Sequence, residues 1–322
     1  MKLRRVFAIS MILCFLLAVG GSPAAAEFPS RTMRIIVPFS AGGATDLMAR
    51  ILATAMASRL GDAEIIVENR PGGGGAIGMT ELIQSPADGH TLILASTAAA
   101  MFTPIISDVG YCNEDIVPIA QVSTLPTNIF VPTDSEIQSL EDLMKRAEAN
   151  FGRMTFATTG VGSPHHIVGE LFQHAAGKPG LLTHVPFTSG PESIAALLGG
   201  HVDFAFANAS YGESYVRQQG VLRVLVSSAP DGCPILPGIP SFVSLGYDVA
   251  FSSWWTLFAP AGTPEATLDL LDGIIKDAIT DPQVIQQIEN IGMLVAYVNR
   301  ADFTYQYANQ FKQMQEFLPG IF

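Results

Sequence analysis

The stretch Pro38-Phe39-Ser40-Ala41-Gly42-Gly43-Ala44-Thr45-Asp46 decides how this chain is read. It follows an apolar run, Met33 to Val37, and precedes an amphipathic one, Leu47 to Leu60. That order predicts a strand, a glycine turn and a helix. A glycine turn opening a helix leaves the first N–H groups without intrahelical partners, at the positive end of the helix dipole. Such a terminus takes carboxylates as readily as phosphates. A phosphate loop would need Lys after its last glycine, and a dinucleotide fingerprint would need G-x-G-x-x-G. This loop has neither, which disfavours nucleotides. Thr45 or Asp46 can cap the helix, and Asp46 can orient it while the N–H groups face a ligand.

Working outward, strands are expected at 34–39, 64–68 and 91–95, with helices at 45–60 and 76–84 between them. The 45–60 helix carries an i, i+4 apolar stripe through Leu47, Met48, Ile51, Leu52, Ala55, Met56 and Leu60. Alternation at this spacing argues parallel βαβ units. A second set follows. Residues 116–122, 128–131, 154–157, 182–185, 202–206 and 222–226 read as extended, and 139–150, 165–176 and 192–198 as helices. Two α/β sets imply two lobes. A return strand at 254–260 precedes helices at 267–279, 282–291 and 301–317, with Pro264 expected at the first helical position. These amphipathic helices are expected to cover the first lobe, the chain crossing back to it.

The start of the chain indicates where the protein works. Lys2, Arg4 and Arg5 precede an apolar run from Val6 to Val19, and Ala24-Ala25-Ala26 offers a small-residue cleavage site. This pattern predicts a signal peptide, cleaved after Ala26, and an exported, periplasmic protein. Cys14 follows Leu13, not the small residue that lipid attachment needs. Cleavage would remove three of 17 basic residues and none of the 29 acidic ones, leaving 14 against 29, a formal −15. So acidic a chain is a poor partner for nucleic acid or an anionic membrane. It cannot attract an anion by net charge, so local dipoles must do so. The remaining cysteines, Cys112 and Cys233, are either one disulfide or two buried free thiols.

Thr158-Thr159-Gly160-Val161-Gly162-Ser163-Pro164-His165-His166 repeats the first motif in the second set: strand, glycine turn, helix. Its N–H groups and the hydroxyls of Thr158, Thr159 and Ser163 could hold a second polar end of a ligand. Thr188, Ser189 and Asn208 follow the next two strands, where open α/β sheets bind ligands. Ser96 follows the third strand of the first set and joins these candidates. Gly72–Gly75, after Asn69-Arg70-Pro71, is either another ligand loop or a shaped surface with Arg70 in a salt bridge. Of Trp254 and Trp255, at least one is expected in the core. His165-His166 is expected to bind no metal, since adjacent helical residues diverge and no acidic or thiol partner is expected at i+4. Ser163 lacks the G-x-S-x-G setting of a hydrolase nucleophile. No catalytic residue and no cofactor is expected.

Six segments together resemble one family: IIVPFSAGGATDLMAR, VENRPGGGGAIG, SPADGHTLIL, TTGVGSPHHIVGELF, THVPFTSGPESIAALLGGHVDFAF and WWTLFAPAGTP. The chain looks like a substrate-binding receptor of the tripartite tricarboxylate transporters, the Bug-type periplasmic proteins. The resemblance implies a two-lobed periplasmic-binding-protein fold, type II-like, each lobe a mostly parallel sheet flanked by helices. The lobes expected are 27–125 with 251–322, and 126–250, joined by a hinge. It implies that Phe39, Ser40, Ala41, Gly42, Gly43, Thr45 and Asp46 face Thr158, Thr159, Gly160, Gly162, Ser163 and His165 across a cleft. In that family carboxylates are typically held by backbone N–H groups, hydroxyls and ordered waters. Two departures touch the cleft rim: Thr188-Ser189 stand where the family often has Lys-Gly, and Ala207 where it often has Asp. The expected function is capture of a small carboxylate (a di- or tricarboxylate, or an aromatic or amino-acid carboxylate) by a monomer that delivers it to membrane permease subunits. The alternatives are an exported enzyme acting on a small acid, with Ser163, His165 or Asp46 participating, and a sensor of the same fold.

Overall fold

The computed structural model describes residues 28–321. The expected signal segment, with Cys14, lies outside the described residues. Among the described residues no helix is long and apolar enough to cross a membrane.

The first unit runs β1 (Met33–Val37), α1 (Ala44–Arg59), β2 (Ile65–Asn69), α2 (Ala76–Ile83) and β3 (Thr91–Ser96). β1 is fully apolar save Arg34 and pairs parallel with both β2 and β3, as a strand covered on both faces should. Its Ile35 and Val37 meet Met48, Leu52 and Met56 of α1 in a shared core. That stripe is the one visible in the sequence, save Leu47, which is exposed. A π turn at Ala98–Phe102 runs into a short helix at Thr103–Ile106. Gly72–Gly75 packs against it; a Cβ on Gly75 would stand 2.5 Å from that of Ala99.

The chain then enters β4 (Ile116–Pro132), one strand of 17 residues where the sequence suggested two pieces. Pro126 interrupts the apolar pattern, but the backbone continues through it. β4 joins two sheets. Residues 116–126 pair antiparallel with β9 (Ser252–Pro260), and Thr127–Phe130 pairs antiparallel with β7 (Phe204–Asn208). The second unit comprises α3 (Leu140–Ala149), β5 (Thr155–Thr158), α4 (Pro164–Ala175), β6 (Thr183–Pro186), α5 (Gly190–Leu198), β7, α6 (Ala209–Arg217) and β8 (Leu222–Ser227). β6, β5 and β7 are parallel, while β4 runs antiparallel to both β7 and β8. The helix α6 lies in a segment the sequence left unassigned.

β9 returns between β3 and β4, antiparallel to both, so each sheet is mixed. α7 (Glu265–Ile279), α8 (Pro282–Asn290), β10 (Val295–Val298) and α9 (Arg300–Phe317) complete the first unit. Pro264 is the N-cap residue of α7, at ψ 136°, one position before its expected place. Leu268, Leu271 and Ile275 of α7 join α1 in the core, and Phe303 and Tyr307 of α9 pack edge-on against Trp254.

The two crossings between units lie side by side. Thr127 N–H donates to Ser228 Oγ at 2.9 Å, and that hydroxyl donates to the Phe251 carbonyl. Phe251 N–H in turn donates to the Ser228 carbonyl at 3.1 Å. The Cys112–Cys233 alternatives are decided against pairing: both are free thiols, Cys112 exposed after the first unit's helical turn and Cys233 buried in the second unit's core.

Candidate functional site

A cavity of about 300 Å³ opens where the N-terminal ends of α1, α4 and α6 converge. Its walls are Phe39, Leu125, Tyr211, Trp255, Ile291 and Met293. Its polar groups come from Thr45, Ser96, Thr97, Thr159, His165, Asn208, Ser210 and Ser253, and Ala44, Ala98, Pro164 and Gly292 complete it. Among the described residues no side chain of Lys, Arg, Asp or Glu lines it.

The first loop is shaped from behind by Asp46. Gly43, not Thr45 or Asp46, is the N-cap of α1, and no side chain caps that terminus. Asp46 sits in the first turn, buried, and its carboxylate accepts from Gly42 N–H at 2.9 Å, from Arg50 Nη2 at 2.9 Å and from Asn69 Nδ2 at 3.0 Å. Burial raises its pKa, but these hydrogen bonds and the Arg50 charge outweigh that and hold it below the usual carboxylate range. Gly42 has φ +82°, a left-handed turn that brings its N–H onto the carboxylate. Asn69 also donates to the Phe39 carbonyl at 3.1 Å. Asp46 is thus a loop brace. Phe39, Ala44 and Thr45 reach the cavity; Ser40, Ala41, Gly42 and Gly43 are exposed and do not line it.

Thr45 is tied across the first unit. Trp255 Nε1 donates to its Oγ1 at 2.9 Å. Trp254, its neighbour, points the other way into the core, with its Nε1 donating to Gln310 Oε1 at 3.0 Å. Alternation along β9 assigns one tryptophan to the core and the other to the cavity wall. Ser96, opposite Trp255 on β3, lines the cavity.

The second loop contributes Thr159, Pro164 and His165. Thr159 Oγ1 lies 2.7 Å from His165 Nδ1, and His165 Nε2 lies 3.0 Å from Asn208 Oδ1. An amide oxygen only accepts, so His165 carries its proton on Nε2 and accepts from the Thr159 hydroxyl at Nδ1. Burial lowers its pKa to about 4, against a smaller raising effect of Asn208, so the ring is neutral at pH 7. Thr158, fully buried, accepts from Gly160 N–H at 3.1 Å and lies 2.6 Å from His184 Nε2, so it shapes the loop from behind. Ser163 caps α4, accepting from His166 N–H at 3.3 Å, and Gly162 N–H donates to His166 Nδ1 at 3.2 Å. Thr158, Gly160, Gly162 and Ser163 therefore frame the cavity without lining it.

The third loop is not brought to the cavity. Glu192 Oε2 accepts from Thr188 N–H at 2.9 Å and from Thr188 Oγ1 at 2.6 Å, while Ser189 caps α5 by accepting from Glu192 N–H. The donors the sequence offered to a ligand are used by the chain's own carboxylate. Asn208 does arrive, as the N-cap residue of α6, without a side-chain cap bond.

Contrary to the expectation from sequence, His166 has an acidic neighbour at i+4. Glu170 stands four residues after His166, its Oε1 3.7 Å from His166 Nε2. His166 stacks on His184 at 3.9 Å. Among the described residues no group of three or more His, Cys, Asp or Glu side chains is placed to hold a metal ion. Arg70 pairs with Glu68 and Glu81, and Gly72–Gly75 does not line the cavity. Ser210 and Tyr211, Ser253, and the 291–293 turn before β10 were not foreseen as site residues. Tyr211 lies so close to Gly190 that a Cβ there would meet its ring at 2.2 Å.

Comparison with known proteins places this architecture. Residues 48–319 match the tripartite tricarboxylate transporter family receptor. BugT of Bordetella pertussis is 31% identical over 290 residues, covering 89% of this chain and 88% of BugT. A TctC solute-binding protein from Polaromonas superposes with a TM-score of 0.84 at 25% identity, covering 91% of this chain and 99% of that one. MatC of Rhodopseudomonas palustris, solved with bound malate, superposes with a TM-score of 0.65 at 27% identity, covering 83% of this chain and 91% of MatC. The chain belongs to the tripartite tricarboxylate transporter receptors, a family of periplasmic solute-binding proteins with a two-lobed α/β fold.

Proposed function

We propose that this receptor captures a small organic carboxylate in the cavity between its lobes and delivers it to the membrane permease of a tripartite tricarboxylate-type transporter. One observation carries this reading: three helix N-termini converge on a cavity that no charged side chain lines, and the α1 terminus has no side-chain cap. Uncapped N–H groups at the positive end of a dipole select an anion without a counter-charge. Thr45 accepts from Trp255, which leaves its own hydroxyl proton to donate to the same anion. The malate bound by MatC supports a carboxylate as the cargo class. The expected signal peptide supports a periplasmic site of action.

The lobes are assigned as 27–125 with 251–322, and 126–250, in a monomer. Closure pivots on the paired crossings at Pro126-Thr127 and Phe251-Ser252, where Ser228 bonds both strands. The receptor is non-catalytic. Ser163 is committed as a helix cap, and the neutral His165 is held between Thr159 and Asn208.

Ala44 gives the test, because it lines the cavity at the first position of α1 and is exposed. Mass spectrometry of the denatured, freshly purified protein identifies the co-purifying ligand, and calorimetry measures its affinity. Ala44→Glu should abolish binding of a carboxylate, while Ala44→Gln, of the same size, should weaken it far less. Glu at that position suits the helix dipole, so folding is kept. Equal effects of the two variants contradict a carboxylate at this terminus.

A further inference from the structure

We infer that the carboxylate this cavity takes is borne on an aromatic ring. The inference rests on the carboxylate reading above and narrows it by the rest of the wall.

Three aromatic side chains line the one cavity, Phe39 and Trp255 from the first lobe and Tyr211 from the second. Leu125, Ile291 and Met293 fill the remaining wall. Aromatic walls contribute binding beyond their area when the guest is also a ring, through offset or edge-on packing, and a methionine sulfur favours a ring edge. The placement of Tyr211 is built in: the close approach at Gly190 holds the ring against α5.

The polar inventory disfavours an amino acid and a tricarboxylate. An amino acid brings an ammonium, and no carboxylate lines the cavity to receive it. Asp46, which lies nearest in sequence, is buried behind the loop with Gly42, Arg50 and Asn69 on its oxygens. A tricarboxylate brings three anions to a site whose anion partners are helix N–H groups and hydroxyls alone, with no Lys or Arg among the described lining residues, and the apolar and aromatic walls offer the further charges no partner. Arg50, the cation of the first loop, is bonded to Asp46 and Asn69. The Thr188 donors on the second lobe already hold Glu192. What remains is an anion position at the uncapped α1 terminus, an apolar and aromatic middle, and Asn208 and Ser210 at the α6 terminus, where a polar ring substituent fits.

The experiment is calorimetry on the ligand-free receptor with matched probes: benzoate, phenylacetate and cinnamate, against cyclohexanecarboxylate, malate, adipate and aspartate, with benzamide as the uncharged control. At least one aromatic carboxylate should bind about tenfold more tightly than cyclohexanecarboxylate and than any aliphatic or amino acid. Trp255→Leu should remove most of that preference and Trp255→Phe should retain it. Aliphatic di-acids binding as tightly as the aromatic acids, or no aromatic acid binding, overturns the inference while leaving a carboxylate site in place. Benzamide binding as tightly as benzoate instead overturns the carboxylate reading itself.

Discussion

Trp255 Nε1 donates to Thr45 Oγ1 at 2.9 Å, so the strand returning from the second lobe is tied to the first turn of the helix whose terminus opens on the cavity. The bond fixes an aromatic wall and a hydroxyl donor relative to each other. It also orients the Thr45 proton away from the indole. Thr45→Val keeps the shape and deletes both roles. We expect a stability loss of about 1 kcal/mol in urea melts, typical of one hydrogen bond, and a weakening of carboxylate binding of about tenfold. Affinity unchanged in the variant would mean the hydroxyl does not touch the ligand.

Gly190 tests whether Tyr211 is a placed wall. A Cβ at residue 190 would stand 2.2 Å from the tyrosine ring, too close for the ring to keep its position. Gly190→Ala should cost about 1–3 kcal/mol, as overpacking does, and should lower affinity because the ring is displaced. Gly190→Ala combined with Tyr211→Ala removes the clash. It should recover stability relative to the single glycine variant without recovering affinity.

Three histidines make stability depend on pH in one direction. Burial lowers His165 and His166 to about 4, and burial with the neighbouring His166 charge does the same for His184. The unfolded chain takes up these protons near pH 6.5, whereas the folded chain resists until about 4. Stability is therefore full above pH 6.5 and is lost as pH falls toward 4. His165 alone accounts for roughly 3 kcal/mol of that slope, at 1.36 kcal/mol per pKa unit. Urea melts at pH 7.5 and 4.5 should show this, and His165→Gln should flatten the difference. Parallel curves for the two proteins would contradict the assignment. Ligand affinity, by contrast, should stay constant from pH 6 to 8, since the cavity holds no group that titrates there.

The two free thiols should differ sharply in reactivity. Cys112 is exposed, but its pKa is raised by hydrogen bonds to Asp115 and Glu114, so its alkylation is slow at neutral pH and speeds as pH rises. Cys233 is buried against the second lobe's core and should react only in denaturant. Intact mass after iodoacetamide treatment of the protein lacking its signal segment should show one adduct natively and two when unfolded, with or without reductant. A requirement for reductant would contradict the free thiols.

The parts of the fold that the sequence exposed are those encoded by local pattern. The run from Met33 to Asp46 announces strand, turn and helix because β1 is buried on both faces and α1 on one. The same holds for the loop before α4. What stayed hidden depends on contacts distant in sequence. β4 runs unbroken through Pro126 because it must serve two sheets, a demand no local window contains. Tyr211 and Ser210 sit on α6, whose polar composition gave no apolar stripe to read. The 291–293 turn reaches the cavity only because α8 folds back on α1. Loop polarity misled in the other direction: Thr188 and Ser189 have the right chemistry for a ligand, but Glu192, four and three residues on, claims them. Asp46 likewise has the right position and serves as a brace.

The central claim is that the ligand's carboxylate sits at the open N-terminus of α1, between the lobes. A crystal structure of the receptor with its co-purified ligand tests this most directly. The account predicts carboxylate oxygens within hydrogen-bond distance of the Ala44 and Thr45 N–H groups and the Thr45 hydroxyl, with the ligand body between Phe39, Trp255 and Tyr211. A carboxylate bound to one lobe without touching the first turn of α1, or to an arginine or lysine side chain, would contradict it.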